Sequence, residues 1–542
     1  MTGKKHTRAR FFSGVAALTI GNILVKLLGL ALKVPLRELL TDEGMAYYNN
    51  AYDIYAAMFT VATAGLPVAV SMFISESRVN GRRRRASRVF SVATALFIII
   101  GAIGTSVMLF GAGAFEAGYR ITDLRFTIIA IAPTMLFICV ASSLRGYFQG
   151  YQNMYPTAIS EIIEAVGKFA LGILLGVYAA RRGYGLPVIA AYAAFGITAG
   201  VLLGMIYLWI NKAFFRPEKY DSEYASLEDD GTSEGIFELA KKLLVIAIPI
   251  SLSNSVSSFA TVIDGMILSR RIQDAGFTET AMKVLVGNYR TCATPLYNLA
   301  LVFVGPITAS VVPVLAASIA EKDKERSDRI MNGSLLLMSV VVMPCALGLS
   351  ALSEPIIKLI FGGGTNAEAA APLLSVLALA AFFSSMIGMT STILHTYKYM
   401  KEPIISIVIG AVIRMGTVWA LAGIPQVNVW ASPVSSVLGC VTIVSVNLVF
   451  IRKKIGFTPR FSRVLVKPFA AGLICAGVAF GSYYLLSRLV GEKIGAVAAI
   501  LIAAAAYLAS VILLKAFEEE DLLLLPKGEK IAAFFKRHGL VR

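Results

Sequence analysis

Apolar residues run in blocks of about 20 or more, separated by short polar breaks, from Phe11 to Lys515. A helix rising about 1.5 Å per residue crosses the roughly 30 Å hydrocarbon core of a bilayer within one such block. Hydropathy and helix breakers together predict spans at 11–39, 47–74, 89–113, 123–144, 156–180 and 187–210. After a polar stretch over 211–242, six more follow at 243–269, 288–319, 331–352, 370–395, 403–423 and 427–451. Two further spans, 464–487 and 494–515, precede a charged tail, 516–542, that contains the amphipathic stretch Lys530 to Arg537. The expected fold class is an all-α polytopic membrane protein of about 14 transmembrane helices. Its divisions are a first group at 1–210, a linker at 211–242, a second group at 243–451, a helix pair at 452–515 and the tail.

The two groups of six carry a faint internal repeat. Pro67 and Ser71 align with Pro306 and Ser310 at an offset of 239, Asn22 with Asn254 at 232, and Pro156 with Pro403 at 247. Offsets that creep upward along the chain are what duplication followed by small insertions leaves behind. Corresponding spans share orientation, so the repeat is parallel, with its axis along the membrane normal, as in transporters.

Composition agrees: 57% of the residues are hydrophobic, 15% are charged, and the mean hydropathy is +0.73. The formal charge of +17 does not form a nucleic-acid stripe, because the basic residues sit in short clusters beside the apolar runs. Anionic lipid headgroups are the partner such clusters suit. With the N-terminus inside, 34 Lys and Arg fall on inner segments, 10 on outer loops and 6 within spans, accounting for all 50. Both termini are therefore expected on the cytoplasmic side. The N-terminal apolar stretch holds Lys26 and Lys33 and is read as a retained helix. The five cysteines lie in or beside apolar segments without metal or redox spacing, and read as packing residues.

A charge at mid-span costs roughly 2.5–3.5 kcal/mol on insertion scales, so the ten placed inside spans should face a cavity or one another. They are Lys26, Lys33, Arg37, Lys168, Arg290 and Arg414, against Asp53, Glu161, Glu164 and Asp264. Asn22, Lys26, Lys33 and Arg37 share one helix face, a stripe suited to a phosphate-bearing ligand, and Pro35 is expected to break the helix between the last two. In the alternative reading, Lys33 and Arg37 reach out to the headgroups and only Lys26 is buried. Glu164 and Lys168 are spaced to pair with each other. Arg414 needs a partner from another helix or a ligand, Arg290 opens a span containing Pro295, Pro306 and Pro313, and Asp264 suits a proton, Na⁺ or a structural ion pair. Glycines 196, 200 and 204 in the sixth span, with 172 and 176 in the fifth, read as close helix packing. No Walker motif, nucleophile constellation or metal spacing is present, so no enzymatic role and no cofactor are expected. Transport would run on Na⁺, H⁺ or the membrane potential.

The stretches Leu144-Arg-Gly-Tyr-Phe-Gln-Gly150 with Asn153-Met-Tyr-Pro156, Ala64-Gly-Leu-Pro-Val-Ala-Val-Ser71 with Ser75-Glu76, and Asp264 with Ser269-Arg-Arg-Ile272 carry a resemblance. Over nearly its whole length the chain resembles the MOP superfamily of flippases, in the MurJ-like branch that includes the stage V sporulation protein B type. That resemblance implies two six-helix lobes in a V around a central cavity, with two C-terminal helices forming a groove for a lipid tail. It implies a bacterial plasma-membrane flippase for lipid II, a polyprenyl-diphosphate-linked saccharide, working by alternating access beside the cell-wall synthesis machinery. The alternatives are another polyprenyl-linked oligosaccharide, a sporulation-specific precursor or, on a cation-coupled antiporter reading, a drug. By the same resemblance Lys26, Lys33 and Arg290 are the cationic cargo contacts. Lysines stand where arginines are common in the first helix, and Asp53 to Thr60 holds no arginine. Both departures bear on cargo more than on fold.

Overall fold

The computed structural model describes residues 2–215, 235–362 and 365–514, and among them every regular element is helical. The helices are α1 (Thr2–Thr63), α2 (Leu66–Val79), α3 (Arg83–Tyr119), α4 (Leu124–Ile131), α5 (Thr134–Gly150), α6 (Tyr155–Arg181), α7 (Leu186–Phe214), α8 (Ile236–Asp274) and α9 (Glu279–Asn288). There follow α10 (Thr294–Ala300), α11 (Val304–Ala320), α12 (Lys324–Ala351), α13 (Ser353–Phe361), α14 (Thr365–Thr396), α15 (Lys401–Ala422), α16 (Ala431–Ile455), α17 (Lys467–Val490) and α18 (Glu492–Leu513). The tail with Lys530 to Arg537, and the linker over 216–234, lie outside the described residues.

Among the described residues twelve helical stretches are long and apolar enough to cross a membrane, or up to thirteen if the bent pair Ile236–Leu252 and Ser255–Asp274 is one span. This leaves the expected count of about fourteen unestablished. The first stretch, Ile20–Val79, has 60 residues, about 90 Å of helix at 1.5 Å per residue and far more than one crossing requires. It breaks at Thr41, where φ is 58° and ψ 176°, a backbone conformation rare for a residue with a β-carbon. Pro35 was the expected break. Its φ is compatible with a helix, however, and losing one backbone donor bends a ladder more readily than it ends one.

The chain folds as two compact units, residues 1–273 with 277–287, and residues 274–276 with 288–542. In the first, α6 and α7 approach most closely. A β-carbon on Gly196 would lie 2.3 Å from Gly172 Cα, and one on Gly200 would lie 2.6 Å from the Lys168 backbone nitrogen. The two glycine series therefore pack as the spacing suggested, backbone against backbone. Gly65, between α1 and α2, meets α8 in the same way, 2.1 Å from the Ala247 carbonyl oxygen. Pro67 then opens α2, where the missing N–H is harmless.

The second unit has its core where α12, α14, α17 and α18 meet, around Met338, Met343, Leu347, Met389, Cys475 and Tyr507. Gly472 lets α17 close on Leu347 and Met343, and the Tyr507 hydroxyl donates to the Val340 carbonyl at 2.8 Å. The predicted span 288–319 lies within one apolar helical stretch, Glu279–Ala320, but it is not uniformly α-helical. A π-helical turn at Tyr289–Ala293 leads into α10, and a 3₁₀ turn at Leu301–Phe303 separates α10 from α11. Pro295 cannot donate to the backbone four residues before it, which accounts for irregularity just upstream. The short helix α13 was not foreseen. Phe110, Leu489, Leu485 and Leu513 are more than 60% exposed, as lipid-facing side chains are.

Candidate functional site

The stripe on α1 divides into two parts. Asn22 and Lys26 are exposed, and Lys26 has no ion-pair partner among the described residues. Lys33 and Arg37 are half-buried and turn inward. Lys33 donates to Asn49 Oδ1, beyond the Thr41 break. Arg37 grips Asp42 with two hydrogen bonds, Nε to Oδ1 at 2.6 Å and Nη2 to Oδ2 at 3.2 Å. These two cations staple the break and do not reach for headgroups, so the reading that buried only Lys26 is reversed.

A polar cluster forms where α1, α5 and α6 meet. Gly21 abuts Ala158 and Leu39 abuts Gly176, so the first half of α1 runs parallel to α6 and brings Lys26 level with Glu161 and Glu164. The carboxylate of Glu164 accepts from Arg145 Nη2 at 2.9 Å, and Arg145 Nε donates to Ser160 Oγ at 3.2 Å. Glu164 therefore takes its cation from α5, and not from Lys168 as its spacing suggested. The Lys168 ammonium stands over the Tyr52 ring, 4.7 Å from its centroid, a cation–π contact that holds the charge without neutralising it. Glu161 is half-buried, and its Oε2 is buried without a hydrogen-bond partner among the described residues. Asp53 is half-buried on α1 beside Tyr52.

Asp264 is 5% exposed, deep in α8 of the first unit. Arg290 and Arg414 belong to the second unit. Arg290 is half-buried within the π-helical turn, and Arg414 is half-buried on α15, where Gly439 of α16 leaves room for its stem. Near it, Tyr297 and Ser384 share a 2.6 Å hydrogen bond, and Ser384 lies 3.2 Å from the Cys440 sulfur. No group of three metal-ligating side chains occurs among the described residues.

Three anchors were not foreseen from the sequence. Arg145 lies inside the quoted motif 144–150, but that motif alone does not reveal its partner on α6. Arg78 is buried and donates to the Gly150 carbonyl at 2.9 Å while standing over Tyr151. Here Gly146 and Gly150 are the available signal: with α-carbons four apart they let α5 approach Pro67 and Ile74 of α2, so much of the motif serves helix packing. Lys283 of α9 is 2.8 Å from both Glu43 and the Tyr47 hydroxyl, and 3.3 Å from Glu279, which in turn accepts from Thr122.

A family model described as polysaccharide biosynthesis protein matches residues 11–319, more than half of the chain, and one described as MatE matches 291–419. The chain is 21% identical over 525 residues to stage V sporulation protein B of Bacillus subtilis (strain 168), covering 95% of this chain and 98% of that one. It is 21% identical over 494 residues to lipid II flippase MurJ of the same organism, covering 87% of each. Its fold is similar to that of lipid II flippase MurJ in an inward closed conformation, with a TM-score of 0.66 and 16% identity over 92% of this chain and 98% of that one. An inward-facing multidrug resistance MATE family transporter of the MOP superfamily gives the same TM-score at 17% identity, covering 82% and 98%. With its many apolar helices and a MOP-superfamily fold, the chain belongs to the polysaccharide biosynthesis protein family.

Proposed function

We propose that this protein is a flippase that carries lipid II, a polyprenyl-diphosphate-linked saccharide, from the inner to the outer leaflet of a bacterial plasma membrane, with both termini cytoplasmic. The observation that carries this reading is Lys26, an exposed ammonium within a span that has no ion-pair partner among the described residues and lies in line with Asn22. Leaving such a charge against hydrocarbon is costly, whereas a water-filled cavity or an anionic ligand relieves it. A diphosphate satisfies a cation of this kind by charge-assisted hydrogen bonding. Lys33, on the same helix, is the further cationic contact, and Arg37 serves the fold through Asp42.

A second cargo, another polyprenyl-linked oligosaccharide or a sporulation-specific precursor, is favoured by one observation. The similarity to stage V sporulation protein B covers more of both chains than the similarity to MurJ. Reconstituted vesicles loaded with lipid II or with an undecaprenyl-diphosphate oligosaccharide separate the two. Transfer of lipid II to the opposite leaflet, reduced at least tenfold by Lys26→Ala, supports the first reading. Transfer of the oligosaccharide alone moves the assignment to the second, and transfer of neither refutes both.

A further inference from the structure

We infer that Glu161 is a proton-binding group that exchanges one proton with water during each transport cycle. The inference rests on the reading of the chain as a transporter and adds the ion that drives it. Arg145 and Lys168 are already engaged, Arg145 with Glu164 and Ser160 and Lys168 with the Tyr52 ring, while Lys26, level with Glu161, makes no ion pair with it among the described residues. No hydrogen bond reaches Glu161 Oε2 among the described residues, and that oxygen is buried. One turn earlier on the same helix face, Thr157 is 1% exposed and its Oγ1 also lacks a partner among the described residues.

An ionised carboxylate oxygen buried without a donor is among the more costly arrangements in a protein. Binding one proton removes the charge and turns an acceptor-only group into an O–H donor, for which acceptors are at hand in the cluster. The groups facing this position are known from each neighbouring helix. They are Arg145 on α5 and Glu164 on α6, with Lys26 level with it on α1. From α7, Gly204 stands against the Ser160 carbonyl and the Glu164 β-carbon beside it. The step is simple in its balance: the carboxylate takes H⁺ from water on one side of the membrane, forming an O–H bond, and the acid returns it on the other.

The direct test is infrared difference spectroscopy of the purified full chain in lipid, titrated from alkaline to acidic pH. The carbonyl-stretch band of a protonated glutamic acid should appear, be lost in Glu161→Gln, shift but persist in Glu161→Asp, and survive in Glu164→Gln. A band unchanged in Glu161→Gln, or the absence of any titrating glutamic acid in the wild-type chain, overturns the assignment. In vesicles an imposed pH gradient should change the wild-type transport rate and leave the Glu161→Gln rate unaltered. If the band titrates but wild-type transport ignores the gradient, the coupling role is refuted. If the band titrates and no polyprenyl-linked saccharide is moved, the proposed cargo fails and the proton site stands.

Discussion

The glycine seam between α6 and α7 offers the sharpest structural prediction. In Gly196→Ala the new β-carbon would lie 2.3 Å from Gly172 Cα and 2.4 Å from its nitrogen, both backbone atoms that no rotamer change can move. Carbon atoms settle at about 3.5–4.0 Å, so the helices must part by about 1 Å or more. Overpacking of this kind costs about 1–3 kcal/mol, against about 0.5–1 kcal/mol gained by replacing glycine in a helix. The midpoints of those two ranges leave an expected net loss of about 1 kcal/mol, and their extremes a loss of up to about 2.5 kcal/mol. Gly416→Ala on α15 is the control, because its β-carbon meets nothing within 4 Å, and it should gain up to about 1 kcal/mol. The assay is the monodisperse fraction that survives a heat ramp in detergent, compared with wild type. Survival of Gly196→Ala equal to that of wild type, or a Gly416→Ala chain less stable than Gly196→Ala, would refute this account of the seam. Gly200 faces the Glu164 carbonyl and the Lys168 nitrogen, so separation at this seam should also displace the polar cluster and lower transport.

Other outcomes follow from individual contacts. Arg145→Met strands the Glu164 carboxylate and should cost about 1–3 kcal/mol; adding Glu164→Gln should recover part of it in a double-mutant cycle of melting midpoints. Lys283→Met removes the group that Glu43, Tyr47 and Glu279 share, and should lower the midpoint more than Lys493→Met. Lys358, on α13 outside the spans, is held above the ordinary lysine range first by its hydrogen bond from the ammonium to Glu354 and then by that to Glu368. Because the folded value is raised, its contribution is complete below the unfolded lysine value of about 10.4 and is lost as pH climbs through the folded one. Stability measured from pH 6 to 9 should therefore be indifferent to Lys358→Met in its pH slope, and a slope difference confined to strongly alkaline pH is the expected signature.

The spans were legible because twenty-residue apolar runs and their breakers are a property of the chain alone. Helix–helix approach was legible where glycines recur every fourth residue, as at Gly196 and Gly200. What the sequence does not carry is the partner of a charge. Spacing on one helix offered Lys168 to Glu164, but a neighbouring helix supplied Arg145 at 2.9 Å, and only the packing of α5 on α6 decides between them. The break at Thr41 was equally hidden. Pro35 is the stronger signal locally, while the bend is fixed by tertiary ties, Arg37 to Asp42 and Lys33 to Asn49 across it. Gly287, whose β-carbon would stand 1.9 Å from the Asp42 carbonyl oxygen, presses on the same turn.

The most direct measurement of the proposed function is made in cells depleted of their own lipid II flippase. The intact chain is compared with Lys26→Ala and Lys33→Ala at matched membrane abundance, and lipid II reaching the outer leaflet is quantified. Rescue by the intact chain together with at least a tenfold loss in Lys26→Ala is the expected result. No rescue from a well-inserted chain, or full rescue by both variants, would contradict a flippase that holds the lipid II diphosphate through its cationic stripe.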